Sequence, residues 1–195
     1  MNPSPLTWRE TRARMRADHA RLLALLAQME PLPPRHAYLH PSFVCVFLFR
    51  VSNHLFRSGH NWLARIVWHL KVMLTGADIN YMADLGPGLV LTHPAGVAIM
   101  GTAGSNFTAM AGSGLGGEVN RHENVAGWPG VPRLGDDVVL EPHSGVLGPV
   151  RIGHRVRIGA GAVVTCDVAD DTRVATPEPK FLRIDKAVTP RVSNT

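Results

Sequence analysis

With 195 residues, 45% of them hydrophobic and 18% charged, the chain is long enough to bury a sizeable core and is neither disordered nor fibrous in composition. The net charge of +5 gathers early, at Arg9, Arg12, Arg14, Arg16 and Arg21, but no nucleic-acid motif or aromatic-basic interleaving goes with it, which argues against a nucleic-acid partner. Two distant cysteines, Cys45 and Cys166, form neither a disulfide framework nor a metal site and suit a reducing, cytoplasmic compartment.

Thr7 caps a first helix, and Glu10 three residues on completes a capping box. No signal peptide is legible in this polar start. From Trp8 to Met29, Met15, Leu22, Leu25, Leu26 and Met29 gather on one side, until Pro31, Pro33 and Pro34 stop the helix. A second helix is predicted from Pro41 to Arg57, ended by Ser58-Gly59. Its apolar run, Phe43 to Phe49, is far short of the about 20 residues that span a bilayer, so no transmembrane segment is expected. A third helix is predicted from Trp62 to Leu74, with a stop at Gly76. Residues 1–76 thus read as an N-terminal α-helical domain.

From Asp78 to Val164 the periodicity changes. Ile79, Leu85, Leu91, Val97, Ala103, Ala109 and Leu115 recur every six residues, as do Leu134, Leu140, Val146, Ile152, Ile158 and Val164. Neither a helix nor a flat strand has this beat. A hexapeptide repeat marks a β-helix, in which each apolar residue stacks on its equivalents one coil away. The fold class is therefore α+β, with a β-helix over 77–176 and a tail over 177–195. Between 97 and 114 the alanines weaken the pattern enough for a shift of two residues. An excursion, Gly116 to Arg133, interrupts the repeat; its length and its Arg121, His122, Glu123 and Trp128 favour a functional loop.

Ten histidines are present. His19, His36, His40, His54, His60 and His69 lie in or near the helices and read as surface residues. His154 sits at a turn, and His143 follows Pro142 where a coil normally uses small residues. His93 differs: it lies in LTHPAG, fifteen residues after Asp78. On a coil of three hexads that offset nearly closes one turn. It can bring a carboxylate to one imidazole nitrogen, leaving the other as a base. The alternative is that the two occupy separate turns. No histidine or cysteine spacing asks for a metal, and neither a phosphate loop nor a nucleophile elbow is present.

DINYMADLGPGLVLTHPAGVAIMGTA, then LGG, then RH, then VLGPVRIGHRVRIGAGAVV, in that order and spacing, resembles the serine O-acetyltransferases over residues from about 41 to about 180. The resemblance implies a left-handed parallel β-helix, a homotrimer that can pair into a hexamer, and transfer of acetyl from acetyl-CoA to a hydroxyl at a site between subunits. It puts the catalytic histidine on His93 and its orienting aspartate on Asp78. The Arg-His pair that holds the acceptor's carboxylate falls on Arg121 and His122. The glycines that approach CoA fall on Gly116 and Gly117, a CoA-wall residue on Ala160, and a basic partner of CoA phosphates on Lys180. No metal is implied.

The chain departs from the family pattern in four places, one of them a longer loop after Arg121-His122. Thr92 precedes His93 at an acceptor-binding position where the family has an acid. PRHAYLHPS, ahead of the second helix, holds no acid either. In the family those two carboxylates receive serine's ammonium, which is costly to bury without an anion. TAGSNFTAM is two residues short, so an irregular coil is expected. The function expected is acetyl-CoA-dependent O-acetylation, with His93 as general base, of serine or another small hydroxyl compound. A sugar or polysaccharide precursor is the alternative acceptor, and a non-catalytic trimeric scaffold is the alternative class.

Overall fold

The computed structural model describes residues 5–28, 33–117 and 129–178. Thr7 starts α1 (Trp8–Leu26) through the expected capping box: its hydroxyl accepts from Glu10 N–H at 3.2 Å, and the Glu10 carboxylate accepts from Thr7 N–H at 2.7 Å. The helix ends at Leu26, and Met29 lies outside the described residues. A 3-10 turn at Pro34–Leu39, absent from the sequence reading, leads to α2 (Pro41–Arg57). The next helix, α3 (Asn61–Thr75), ends where Gly76 turns left-handed at φ 67°.

The chain then coils. The first coil holds β1 (Asp78–Ile79), β2 (Asp84–Leu85) and β3 (Val90–Leu91); the second, β4 (Ala98–Ile99), β5 (Thr102–Ala103) and β6 (Thr108–Ala109). The third holds β7 (Gly114–Gly116), β8 (Arg133–Leu134) and β9 (Val139–Leu140); the fourth, β10 (Gly145–Leu147), β11 (Arg151–Ile152) and β12 (Arg157–Ile158). Strands β13 (Val163–Val164) and β14 (Arg173–Val174) follow. Every strand pairs in parallel with its equivalent one coil on. Three faces result, β1-β4-β7-β10-β13, β2-β5-β8-β11 and β3-β6-β9-β12-β14, in the expected left-handed parallel β-helix.

Inside, Ile79, Ile99, Leu115, Val146 and Val164 stack in register on the first face, and all are buried. Leu85, Ala103, Leu134 and Ile152 line the second face; Leu91, Ala109, Leu140 and Ile158 line the third. Phe107, buried in the same core, supplies bulk beside the two alanines. One expectation is corrected: Ile99, not Val97, stacks between Ile79 and Leu115. The corner between β3 and β4 is two residues longer than a regular hexad, and the corner between β4 and β5 is two shorter. The shortening falls at Met100-Gly101, just ahead of the segment where an irregular coil was expected. Val97 and Ile99 are both buried, so hydrophobicity alone does not choose between them.

Strand N–H groups donate forward along the helix axis, as in Asp78 to Val97, Asp84 to Gly101 and Val90 to Phe107. The carbonyls of the first coil therefore have no coil behind them to bond. The three α-helices pack on that end and supply donors instead. Lys71 Nζ donates to Ile79 O at 2.5 Å, and Asn53 to Tyr81 O and Ala83 O at 2.8 and 2.9 Å. Arg50 donates to Leu85 O and Gly86 O, both at 2.6 Å. Arg14 and Arg21 of the basic first helix reach Leu85 O and Gly88 O at 2.9 and 2.6 Å. Asp18 completes the set: it accepts from Arg50 Nε at 2.8 Å and from Leu89 N–H at 2.8 Å. Between these polar contacts, Cys45, Val46 and Phe49 of α2 merge with the core of the coil. Among the described residues no helix is long and apolar enough to cross a membrane.

Two outcomes follow from this packing. Asp18→Ala leaves the buried Arg50 guanidinium without its counter-charge, and should cost about 3–5 kcal/mol in urea denaturation; a loss near zero would mean that the pair is not buried in solution. Lys71 gives a pH signature. Burial pushes its ammonium down from 10.5 to about 8. The unfolded chain keeps that proton up to pH 10.5 while the folded chain releases it near 8, so the destabilisation is full below about 8 and fades as pH rises towards 10.5. Across that window the wild type should gain on Lys71→Met by roughly 1.4 kcal/mol per pH unit. Parallel stability curves would show that the lysine titrates normally.

Candidate active site

His93 stands on the lengthened corner between β3 and β4. Thr92 N–H still bonds Ala109 O at 3.2 Å, so the strand ends in register. The chain then swings out through His93 and Pro94 and is closed by Val97 N–H on Pro94 O at 3.1 Å. Gly96, at φ 76°, makes the left-handed turn. The two additional residues carry the imidazole out of the wall, and His93 is exposed.

This corner rests on the end of α3: Gly96 N–H bonds Gly76 O at 3.0 Å, and a Cβ placed on Gly76 would touch Ala95 Cα at 3.6 Å. Asp78 follows Gly76 by two residues and His93 precedes Ala95 by two, so both flank one backbone contact. No hydrogen bond joins the Asp78 carboxylate to the His93 ring. Instead Asp78 Oδ1 accepts from Trp68 Nε1 of α3 at 2.8 Å. Trp68 packs edge-on against Tyr81, whose hydroxyl accepts from Arg65 Nε at 3.2 Å. Lys71, one turn further along α3, contributes positive charge near Asp78.

A third element meets the corner. His40 caps the N-terminus of α2: its Nδ1 accepts from Ser42 N–H at 3.3 Å, and Ser42 Oγ donates to Thr92 O at 3.5 Å. Partial burial, and then the positive charge of His93, push the His40 pKa down. His40, which reads as a surface residue in the sequence, is thus a neighbour of His93. The one local signal was its place directly before Pro41, at a helix start. Trp68 and Lys71 gave no signal beyond helical spacing.

The same corner continues up the β-helix. Gly112, His143 and Gly161 repeat the left-handed position of Gly96, at φ 66°, 58° and 70°. Their backbones interlock through His143 N–H on Ala111 O at 2.9 Å and Gly161 N–H on Pro142 O at 3.0 Å. The His143 ring lies over Gly112 and is exposed. Ala160 sits on this ridge three coils from Ala95, about 14 Å along the axis. Its N–H donates to Glu141 Oε2 at 3.1 Å, and Glu141 also binds Arg157 at 3.1 Å, which holds the Glu141 pKa down.

Gly116 and Gly117 do not join this ridge within one chain. They close β7 at the opposite edge of the first face, one coil above Met100. A Cβ on Gly117 would stand 3.0 Å from Gly130 O, so this glycine lets the chain leave the coil and return beside itself. Arg121, His122 and Lys180 lie outside the described residues.

Comparison with known proteins identifies the family. Residues 132–166 match the family model for the bacterial transferase hexapeptide (six repeats). The chain is 36% identical over 141 residues to a serine acetyltransferase of Synechococcus elongatus, which spans 69% of this chain and 54% of the relative. It is 30% identical over 154 residues to a serine acetyltransferase of Helicobacter pylori strain J99, spanning 76% of this chain and 85% of the relative. A serine acetyltransferase of Neisseria gonorrhoeae, solved in complex with serine, is similar at a TM-score of 0.73 and 25% identity, over 90% of this chain and 70% of that one. The chain thus spans about half the length of the Synechococcus relative and most of the Helicobacter one. In sequence and in fold it belongs to the serine acetyltransferase family.

Proposed function

We propose that the protein is an acetyl-CoA-dependent O-acetyltransferase acting on a small hydroxyl acceptor of the serine class. The observation that carries this reading is the exposed His93 imidazole on a β-helix corner two residues longer than a regular hexad. His93 removes the hydroxyl proton as that oxygen attacks the thioester carbonyl carbon. The carbon–sulfur bond breaks, and His93 returns the proton to the departing thiolate. Asp78, steadied by Trp68, orients His93 and stabilises the imidazolium. Thr92 contacts the acceptor, Gly116 and Gly117 let the thioester end approach the backbone, and Ala160 forms a wall along the pantetheine arm. Arg121 and His122 hold the acceptor's carboxylate, and Lys180 meets the CoA phosphates.

The His93 ridge and the Gly116–Gly117 edge lie at different corners of a triangular prism. A threefold assembly brings one subunit's ridge against its neighbour's glycine edge, so the working form is a homotrimer, with a dimer of trimers as a larger form. Residues 1–76 act as the helical unit, 77–176 as the β-helix with its excursion over 116–133, and 177–195 as a tail. Cys45 and Cys166, both free thiols, suit the cytoplasm.

General-base catalysis contributes about 10²- to 10⁴-fold. His93→Ala should therefore lower kcat/KM for acceptor-dependent thiol release by at least about 100-fold, with CoA affinity in calorimetry unchanged. Turnover near that of the wild type would rule out the mechanism.

A further inference from the structure

The ridge that starts at His93 carries a second histidine. His143 holds a left-handed backbone, φ 58°, where the same corner of the other coils uses Gly96, Gly112 and Gly161. Its turn is rigid: Pro142 fixes one φ angle, and Ser144 N–H closes on Glu141 O at 3.1 Å. Four other residues that are not glycine have positive φ, and their side chains bond one another, Asn106 with Asp137 and Arg155 with Asp171. The His143 ring is exposed, and among the described residues neither of its nitrogens has a hydrogen-bond partner. A residue that strains the backbone without a partner of its own points to a ligand.

The ring folds back one coil, over Gly112. A Cβ added there would lie 2.6 Å from His143 Cε1, so only glycine leaves the ring its room. One coil further down, a Cβ on Gly96 would lie 3.5 Å from Gly112 Cα, and Gly96 shares its corner with His93. The imidazole therefore sits one coil, about 4.8 Å, above the His93 corner and below Ala160. In a pantetheine thioester, two CH2 groups separate the sulfur from the first amide, a reach close to that spacing. With the thioester at His93 and the arm running towards Ala160, the amide comes level with the ring.

We infer that His143 is a donor-binding residue, whose ring N–H donates to the carbonyl oxygen of the pantetheine amide nearest the sulfur. This rests on the acetyltransferase reading, which it deepens. The hydrogen bond selects acyl donors that carry an amide at this distance from the thioester, and it forms on a wall otherwise made of glycine and alanine.

Calorimetry tests this with CoA and with adenosine bisphosphate, the CoA fragment that lacks the arm, on the wild type and on His143→Gly. Glycine suits a φ of 58°, so the variant keeps the turn and its unfolding midpoint should not fall. The variant should bind CoA about 3- to 10-fold more weakly, as expected for one uncharged hydrogen bond, and bind the bisphosphate as before. The KM for acetyl-CoA should rise by a similar factor. Among short donors, kcat/KM should fall for S-acetyl-N-acetylcysteamine, which keeps the amide, and hold for S-pentyl thioacetate, which has the same length without it. CoA binding equal to or tighter than that of the wild type, a loss shared with the bisphosphate, or an equal loss for both short donors overturns the inference and leaves the acetyltransferase standing. A wild type that does not bind CoA overturns the acetyltransferase reading itself.

Discussion

The first coil of a parallel β-helix turns its carbonyls towards an end where no further coil exists. In this chain six of them, from Ile79 to Gly88, bond side chains of the helical layer. A buried carbonyl left without a partner costs about 1–3 kcal/mol, so leaving all six unpaired would consume the roughly 5–15 kcal/mol by which a domain is stable. That constraint explains why cations are buried here. Arg50 and Lys71 sit in the core because they donate to an edge that nothing else satisfies, and Asp18 neutralises the more deeply committed of the two. It also fixes where the helices lie. Arg50 and Asn53 pin α2 to the coil, which leaves its N-terminal cap beside Thr92. Lys71 pins α3, which brings the Trp68 indole to Asp78.

The β-helix achieves the display of His93 by redistributing length rather than by adding a domain. Two residues gained before β4 are given back before β5, so the strands on either side remain in register. Two corners are altered, and the lengthened one carries the imidazole. Above it, the left-handed turns of Gly112, His143 and Gly161 hold an even ridge. His93 rides on the rigid coil, Asp78 is held by the indole of α3, and the N-terminal cap of α2 stands beside Thr92.

Much of this was legible in the sequence. The six-residue beat follows from inward stacking, and Leu134 to Val164 keep it without fault. Thr7 with Glu10, and Gly76, marked the helix ends because capping chemistry is local. What escaped depended on contacts distant in the chain. Val97 and Ile99 are equally apolar, so only the pairing with Ile79 and Leu115 selects the second. His40 looks like any histidine before a helix until that helix is seen to end against Thr92. Lys71 reads as a solvated helical lysine because the carbonyl it serves, Ile79, belongs to an edge that exists only once the coil is closed. The spacing of Asp78 and His93 brings both to flank one backbone contact, but the indole that holds the Asp78 carboxylate comes from another element.

The proposed acyl transfer requires the thioester and the hydroxyl to meet at His93. A crystal structure of the full chain with CoA bound tests this most directly. The expected result is a thiol sulfur within hydrogen-bond reach of the His93 ring, with the pantetheine arm running along the ridge towards Ala160. A sulfur lodged elsewhere, for example over the face formed by Thr102, Arg133 and Arg151, with His93 touching no ligand, would contradict it.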